Sequence, residues 1–495
     1  MREPQYDRRR AKRKALRRIP LMLVAAMALP FKRRRRVAGL SGDAGVRRDE
    51  VLGLTAGVAR SIGWARVRAM VAGKQRGREI RRAAVERATQ QTVEQLGAMK
   101  GLSMKLGQMM SYINVLDEHQ EASMAALQSS VPPMELDLVR AVVEEQLGDV
   151  PEKVFESFDV TPIAAASVGQ VHRARLHDGR DVAVKIQYPG VADTFAADLA
   201  NMERLTEMSA LAMNADISDY IGMLSESVVN ELDYGLEQRN QQRLADLYRD
   251  HPFVVIPDTV PELCRSRVLV SEFVDGDRFQ VAVSKSSQDD RNRIGEIMYR
   301  FAFGCVMNGF FSGDPHPGNY LFPDGRVCFL DFGMVMDIAE PGRDSLVAQI
   351  IGASLQGRQD VIDDGLRHLG FLPEGGPSGA EMWDEIRHII AGPIDTDAVV
   401  RLDRPLFQEG MQKLMDPRSH ANQAFLKTDH FEGWAAICMR YTVGSLAAIS
   451  KFEPEANWRQ VIGEIVLGHE PTTEIGKAWG PSPGGAEFIG SRFTH

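Results

Sequence analysis

The sequence has little cysteine. Among its 495 residues the cysteines are Cys264, Cys305, Cys328 and Cys438, and no two of them form a C-x-x-C pair. Disulfide frameworks and structural zinc sites need cysteines at characteristic spacings. The pattern disfavours both kinds of site and predicts buried thiols in a reducing compartment.

Long apolar runs are also scarce. Residues 19–31 are mostly apolar, but these thirteen residues contain two prolines and fall short of the roughly 20 that a membrane-spanning helix needs. Basic clusters flank the run on both sides, and no convincing cleavage site follows it, which disfavours a secretory signal. No other segment predicts a membrane span. We expect a cytoplasmic protein with a soluble body, with peripheral contact at the inner face of the membrane as an option.

Charge is unevenly distributed. Residues 1–50 contain sixteen Lys/Arg against five Asp/Glu, a net charge of +11, so the total of −8 leaves −19 for the rest. An acidic body argues against nucleic-acid binding by the folded part. The basic head has two interpretations: contact with an anionic membrane surface, or no membrane role, as a solvated disordered tail or as sequence upstream of the true start.

The sequence pattern changes in a definite order. Helical patterns over residues 50–130 end at two prolines, a helix is predicted over 136–147, strands follow, and residues beyond 341 are mostly helical. The predicted parts are a basic head over 1–50, a helical extension over 51–150, a strand-containing lobe over 151–275, a helical lobe over 276–470 and a flexible tail over 471–495.

Two short turns predict β-hairpins. An Asp-Gly dipeptide separates strand-like residues 168–176 from 182–187, and another separates 320–322 from 327–330. Residues 254–274 also have a strand-like pattern, and 289–311 a helical one. The order predicts an α+β protein with the two-lobed layout of a protein kinase.

A loop and a tripeptide around the second hairpin point to metal-bound phosphate. Asp314 and Asn319 lie in a loop that two prolines and a glycine keep from being helical, and Asp331-Phe332-Gly333 follows twelve residues after Asn319. The same arrangement occurs in kinases. The hairpin would bring Asn319 and Asp331 together as oxygen ligands of Mg²⁺, and Asp314 would position or deprotonate the acceptor.

A strand lysine completes this set. Lys185 ends a Val-Ala-Val-Lys run in the second strand of the first hairpin, where its ammonium would contact nucleotide phosphates and need an acidic partner. The candidates are Glu231, Asp233 and Glu237. At 100° per residue, a helix would place Asp233 and Glu237 on one face and Glu231 elsewhere.

Two kinase features are missing. Alanines stand where a Gly-rich loop is expected, and no His-Arg pair precedes Asp314. Alanine restricts φ and the approach of backbone amides to phosphate, so the nucleotide would be held differently, with an altered preference between ATP and ADP. The residues of this loop are Ala164, Ala165, Ala166, Ser167 and Val168.

The motifs resemble the UbiB (AarF, ADCK-type) family of atypical kinases. The similar segments are the alanine-rich loop with Q-V-H, V-A-V-K-I-Q-Y-P-G, E-L-D-Y-x-x-E-x-x-N, D-P-H-P-G-N with D-F-G, and an upstream K-x-G-Q at residues 105–108. The resemblance covers about residues 94–337.

The resemblance implies further roles. The helical extension would pack over the active site, Lys105 and Gln108 would enter the nucleotide region and obstruct protein substrates, and Glu231 and Asp233 would lie near them. Glu237 would pair with Lys185, and Glu272 would lie where the hinge meets adenine. The implied ligands are ATP or ADP with Mg²⁺, and the implied acceptor or partner is a lipid or quinone precursor.

Three functions remain open. The first is an atypical kinase or ATPase in lipid or isoprenoid-quinone metabolism. The second is a nucleotide-gated lipid-binding scaffold or chaperone with little turnover. The third, a conventional protein kinase, is disfavoured because the Gly-rich loop, the H-R-D arginine and an A-P-E sequence are not found where expected.

Overall fold

A computed structural model describes residues 133–166, 168–193, 196, 229–312, 314–337, 343–372, 378–416, 418–421 and 433–479. The chain divides into Met1–Lys100 and Gly101–His495, and every described residue belongs to the second unit. The basic head, the helical extension up to residue 132, and the predicted site residues Lys105, Gln108 and Ser167 lie outside the described residues.

The strands are mostly short. They are β1 (Ser157–Phe158), β2 (Ala164–Ala165), β3 (Gly169–Arg175), β4 (Asp181–Gln187), β5 (Val254–Val255), β6 (Val268–Glu272), β7 (Asp277–Arg278), β8 (Phe310–Ser312), β9 (Tyr320–Phe322), β10 (Val327–Phe329), β11 (Val335–Asp337), β12 (Val400–Arg401) and β13 (Glu455–Ala456).

Helices dominate the second half. They are α1 (Leu136–Leu147), α2 (Pro151–Val154), α3 (Tyr234–Leu247), α4 (Phe279–Lys285), α5 (Gln288–Met307), α6 (Arg343–Gln356), α7 (Gln359–His368), α8 (Gly379–Ile390), α9 (Arg404–Met415), α10 (Gly433–Ser450), α11 (Trp458–Leu467) and α12 (Glu474–Trp479); two 3₁₀ turns are Pro261–Leu263 and Pro317–Asn319.

An antiparallel sheet forms the first lobe. Its strand order is β1-β3-β4-β6, with β2 paired to β3. Alternate residues of β4, Val182, Val184 and Ile186, are fully buried, and they share a core with Val139 and Val143 of α1. This period-two burial is what a half-buried strand requires.

The second lobe has a helical core and small sheets. Its larger sheet has the order β5-β10-β9-β7, with β5 parallel to β10, and β8 pairs with β11. Helix α5 is buried over most of its length, and its first turn has a capping box between Ser287 and Asp290. Within the described ranges, no helix combines the length and apolar character needed to cross a bilayer.

The two predicted hairpins are confirmed. Strands β3 and β4 pair in register from Gly169 opposite Gln187 to Arg175 opposite Asp181. Between β9 and β10, Asp324 and Gly325 both have positive φ, 41° and 74°, as the tight hairpin turn demands. The α+β kinase-like fold predicted from the sequence is likewise confirmed.

Several predicted boundaries are wrong. The helix predicted over 289–311 ends at Met307, because the apolar residues that follow are buried in strand β8 instead. The strand-like stretch 254–274 contains only β5, β6 and a 3₁₀ turn. Part of the flexible tail predicted from residue 471 is instead ordered, since α12 buries Ile475 and Trp479. The other predicted domain limits stay predictions.

Candidate functional site

A buried ion pair joins the first sheet to helix α3. The Nζ of Lys185, on β4, lies 2.8 Å from Oε1 and 2.9 Å from Oε2 of Glu237. The same Nζ is 3.7 Å from Oδ2 of Asp331 and 5.0 Å from the ring centre of Tyr234. The lysine, the glutamate and the D-F-G aspartate therefore meet at one place.

Burial and neighbouring charges shift the pKa values of both partners in this ion pair. Burial raises the pKa of Glu237 to about 7; Lys185 opposes this shift, and the nearby Asp331 adds to it. Burial would lower the pKa of Lys185, but Asp331 and Glu237 hold it well above its ordinary value. Lys185 thus stays charged between two carboxylates that repel each other, and a divalent ion beside Asp331 would offset this repulsion.

Glycine 333 lies against three acidic side chains. A Cβ at Gly333 would be 3.4 Å from Cγ of Glu231 and 3.5 Å from both Oδ1 of Asp331 and Oε2 of Glu237. The amide of Gly333 donates to Oδ1 of Asp331 at 3.0 Å. Asn240 of α3 donates to the carbonyl of Phe332 at 3.3 Å, which ties the D-F-G segment to the helix that carries Glu237.

Ser312 connects Asp314 to the D-F-G segment. Its Oγ donates to the carbonyl oxygen of Asp331 at 3.1 Å, and the amide of Asp314 donates to the same Oγ at 3.4 Å. The side chain of His316 accepts from the amide of Gly318 at 2.9 Å and caps the 3₁₀ turn. The histidine therefore helps to shape the loop.

A hydrogen bond within the loop holds the side chain of Asn319. Its Nδ2 donates to the carbonyl of Asp314 at 3.0 Å, so its Oδ1 points the other way and has no bond to any described residue. Leu330 donates to the carbonyl of Asn319 at 3.0 Å, which holds Asp331 next to the loop. A carboxylate and an amide oxygen on one hairpin fit the hard-ligand preference of Mg²⁺.

The alanine-rich loop is a tight extension of the first sheet. Ala164 and Ala165 pair with Val171 and Gln170, and Ala166 donates to the carbonyl of Gly169 at 2.8 Å. Ala164 and Ala165 are exposed, Ala166 is partly exposed and Val168 is buried. The loop therefore presents small side chains along the edge of β3 opposite β4, the strand that carries Lys185.

Strand β4 and helix α3 both come close to Gly169, at the base of this loop. A Cβ at Gly169 would lie 2.3 Å from the carbonyl oxygen of Ile186 and 2.8 Å from the hydroxyl of Tyr234. Tyr234 is fully buried, and no described residue accepts or donates a hydrogen bond at its hydroxyl. The alanine-rich loop, Lys185 and helix α3 therefore meet at Tyr234.

Glu272 ends strand β6 beside the connection between the lobes. It pairs with Val182 across the sheet, its amide donates to Asp258 at 2.9 Å, and its side chain is exposed. The next residue, Phe273, donates to the carbonyl of Asp181 at 3.0 Å. The family resemblance predicts adenine next to this backbone segment. Among the described residues, no contact of the Glu272 side chain identifies an adenine site.

The helical-wheel prediction for the three acids is wrong. Helix α3 begins at Tyr234, so Glu231 lies in the turn before it, where it is buried against Gly333 beside Glu237. Asp233 is the exposed N-cap and accepts from the amides of Gly235 and Leu236. A wheel drawn through residues 231–237 fails because the first three of them are not helical.

The sequence did not single out Ser312 or Tyr234. Ser312 had no distinguishing pattern, whereas Tyr234 was visible inside E-L-D-Y but without a role. The glutamine and histidine of the Q-V-H segment have a structural role. Gln170 accepts from the amide of Met134 at 2.7 Å and contacts Nε2 of His172 at 2.8 Å. These bonds fix the chain entering α1 to the strand that follows the alanine-rich loop.

Comparisons with known proteins agree with this geometry. The profile of the ABC1 atypical kinase-like domain matches residues 126–364. Protein ACTIVITY OF BC1 COMPLEX KINASE 8, chloroplastic, from Arabidopsis thaliana is 32% identical over 284 residues, covering 55% of this chain and 37% of that protein. AarF domain-containing protein kinase 1 from Mus musculus is 34% identical over 269 residues, covering 52% of this chain and 51% of that protein.

A solved structure is similar over a larger part of the chain. The complex of Rv3197 with erythromycin, from Mycobacterium tuberculosis, has 30% sequence identity and a TM-score of 0.58, and the match covers 79% of this chain and 98% of that one. The chain spans about half the length, or less, of the curated relatives it matches first.

Proposed function

The chain belongs to the ABC1 atypical kinase-like family, the UbiB/ADCK proteins, and on that premise we propose that it is an atypical kinase or ATPase that binds an adenine nucleotide with Mg²⁺. The observation that supports this most is the meeting of Lys185, Glu237 and Asp331. In a kinase fold these groups surround the phosphates.

Each residue has a proposed part in binding. Lys185, held by Glu237, contacts the phosphates, while Asp331 and the amide oxygen of Asn319 hold Mg²⁺. The alanine-rich loop covers the phosphates and sets the preference between ATP and ADP. The backbone after Glu272 lies along the adenine, and Lys105, Gln108 and Glu231 close the nucleotide region. Bound Mg²⁺ would neutralise charge on the transferred phosphoryl group.

Asp314 is proposed as the residue that handles the acceptor. It is 7% exposed and follows Ser312, which ties it to the D-F-G segment. A carboxylate here can orient an acceptor hydroxyl or a water molecule and take its proton. We expect a lipid or quinone precursor as acceptor rather than a protein, and the basic head as a contact for an anionic membrane surface.

The proposal is tested by measuring phosphate release from Mg-ATP by the full chain. The reaction is run with and without vesicles of anionic phospholipid and a phenolic quinone-like compound. Release above background that disappears in Asp331→Asn supports an enzyme. Release that is equal in wild type and Asp331→Asn contradicts the assignment of the site.

One observation favours a second function. The M. tuberculosis protein with which this chain shares its fold was solved as a complex with erythromycin. A chain of this kind could be a nucleotide-gated binding protein with little turnover. Nucleotide binding without phosphate release under any of the conditions above would favour this function over the enzyme.

A further inference from the structure

Arg440 on helix α10 is a half-buried arginine whose guanidinium lies next to the D-F-G segment. Its Nη1 lies 3.3 Å from the Sδ of Met334, the residue after Gly333. Its Nε and Nη2 are buried, and no oxygen of a described residue accepts from either nitrogen. A thioether sulfur is a weak acceptor, so this contact does not satisfy the cation.

Helix α10 brings Arg440 towards the catalytic loop. One residue on, the ring of Tyr441 stacks on Phe311 of β8 at 5.0 Å between ring centres. One turn on, a Cβ at Gly444 would lie 2.5 Å from Cγ of Pro315, so the helix backbone packs tightly against the residue that follows Asp314. Positions four apart share a helix face, so Arg440 approaches the site from the side of Asp314.

An unpaired guanidinium in this position is unfavourable. Arginine cannot lose its proton inside a protein, so burial cannot be relieved by neutralisation. Burying such a charge without a partner costs several kcal/mol. A different buried arginine shows the usual solution: Arg300 donates to the carboxylates of both Glu296 and Glu464. Arg440 has no corresponding carboxylate among the described residues.

We propose that Arg440 is an oxyanion-binding residue that holds a phosphate or carboxylate group of the acceptor beside Asp314. The planar guanidinium suits such groups because two of its N–H bonds can be directed at two oxygens at once. The inference deepens the proposed function by giving the acceptor a negatively charged group, and it rests on that function for the identity of the site.

The test uses inorganic phosphate and benzoate as separate probes on the full chain. The melting temperature is measured in chloride buffer at constant ionic strength, in wild type, Arg440→Gln and Arg440→Lys. We expect phosphate, benzoate or both to raise the melting temperature of wild type, and Arg440→Gln to abolish the shift. Arg440→Lys keeps the charge but loses the fork, so its affinity for the probe should fall at least about tenfold. The two probes tell a phosphate ligand from a carboxylate ligand.

Two controls separate this site from others. Arg243→Gln removes an exposed arginine that pairs with Asp337, at the end of the strand that follows Met334, and should leave the shift unchanged. Lys185→Met removes the proposed contact to nucleotide phosphates, so it measures how much of a phosphate-induced shift comes from the nucleotide site. A shift lost in Lys185→Met and kept in Arg440→Gln would assign the anion to the nucleotide site and overturn the proposal.

Stability without the probes provides a further criterion. Because Arg440→Gln removes a half-buried charge with two unsatisfied nitrogens, it should melt no lower than wild type in chloride buffer. A strongly destabilised Arg440→Gln would mean a structural partner for Arg440 and would overturn the proposal, as would a wild type that responds to neither anion. The affinity for Mg-ADP should be the same in Arg440→Gln and wild type. The nucleotide site, which Asp331→Asn tests, can therefore be judged independently of Arg440.

Discussion

Lys185 and Glu237 are separated by 52 positions in the chain, yet the lysine Nζ lies within 2.9 Å of both carboxylate oxygens. Glu237 is almost completely buried, and the side chain of Lys185 is 14% exposed. The pair therefore joins the first sheet to helix α3, and Oδ2 of Asp331 lies 3.7 Å from the same ammonium. A phosphate that bound here would find the cation already oriented.

Replacing the lysine tests its proposed contact with phosphate. Lys185→Met removes a charge-assisted bond worth about 1.5–3 kcal/mol, so the affinity for Mg-nucleotide should fall about 10- to 100-fold. Equilibrium binding of a fluorescent adenine nucleotide measures this. Lys153→Met is the matched control, since Lys153 pairs with Asp149 on the surface, and its affinity should equal that of wild type. Equal affinity in all three proteins would remove Lys185 from the site.

The raised pKa of Glu237 predicts a pH-dependent stability. The folded value of about 7 exceeds the ordinary 4.5, so the folded protein binds more protons than the unfolded chain between these pH values. The contribution of Glu237 to the free energy of unfolding is fully present below pH 4.5 and is lost as the pH rises to about 7. Over that interval it amounts to about 3 kcal/mol.

Urea unfolding of wild type and Glu237→Gln at several pH values measures this contribution. From pH 5 to 7.5, wild type should lose stability relative to the variant, and above that range the difference should stay constant. Parallel curves over the whole range would show that Glu237 titrates normally.

Much of the site was predictable because its residues lie on local motifs. The spacing of Asp314, Asn319 and Asp331 is short, and the turn at Pro323-Asp324-Gly325-Arg326 forces the hairpin that joins them. Lys185 was predictable because a strand pattern surrounds it. The partner of Lys185 came from the family resemblance, because no local rule connects residues 52 positions apart.

The errors have equally physical causes. The start of helix α3 depends on the capping oxygen of Asp233, which the helical wheel did not consider, and so Glu231 was placed on the wrong side. The aromatic residues of β8 continue an apolar pattern that fits a helix, but pairing with β11 makes them a strand. Arg440 lies beyond the matched motifs, and only the packing of α10 brings it to the site.

Gly169 should not tolerate a side chain. Gly169→Ala would place a methyl group against the backbone of Ile186 and the hydroxyl of Tyr234, which cannot both move. We expect a loss of about 1–3 kcal/mol in stability, together with weaker nucleotide binding, because the alanine-rich loop shifts. Thermal unfolding measures the first and equilibrium binding the second.

A glycine substitution in the same loop provides the control. Ala165→Gly alters an exposed position and should change stability by less than about 1 kcal/mol. If Gly169→Ala were as stable as Ala165→Gly, the close approach of β3 to α3 would be disproved.

The buried charge cluster of the helical lobe should be essential for stability. Arg300 of α5 pairs with Glu296 and with Glu464 of α11, and all three side chains are at most 8% exposed. Arg300→Met leaves two buried carboxylates without their cation and should cost about 3–5 kcal/mol. Arg401→Met removes an exposed arginine that pairs with Glu455 and should cost at most about 1 kcal/mol. Similar losses for the two variants would contradict the assignment.

The most direct test is the Mg²⁺ dependence of adenine-nucleotide binding to the folded full chain. Affinity measured by calorimetry at increasing Mg²⁺ should rise in wild type and stay flat in Asp331→Asn, whose amide is a poor substitute for the metal-binding carboxylate. If wild type binds no adenine nucleotide in the presence of Mg²⁺, or if Asp331→Asn responds to Mg²⁺ as wild type does, the proposed site is wrong.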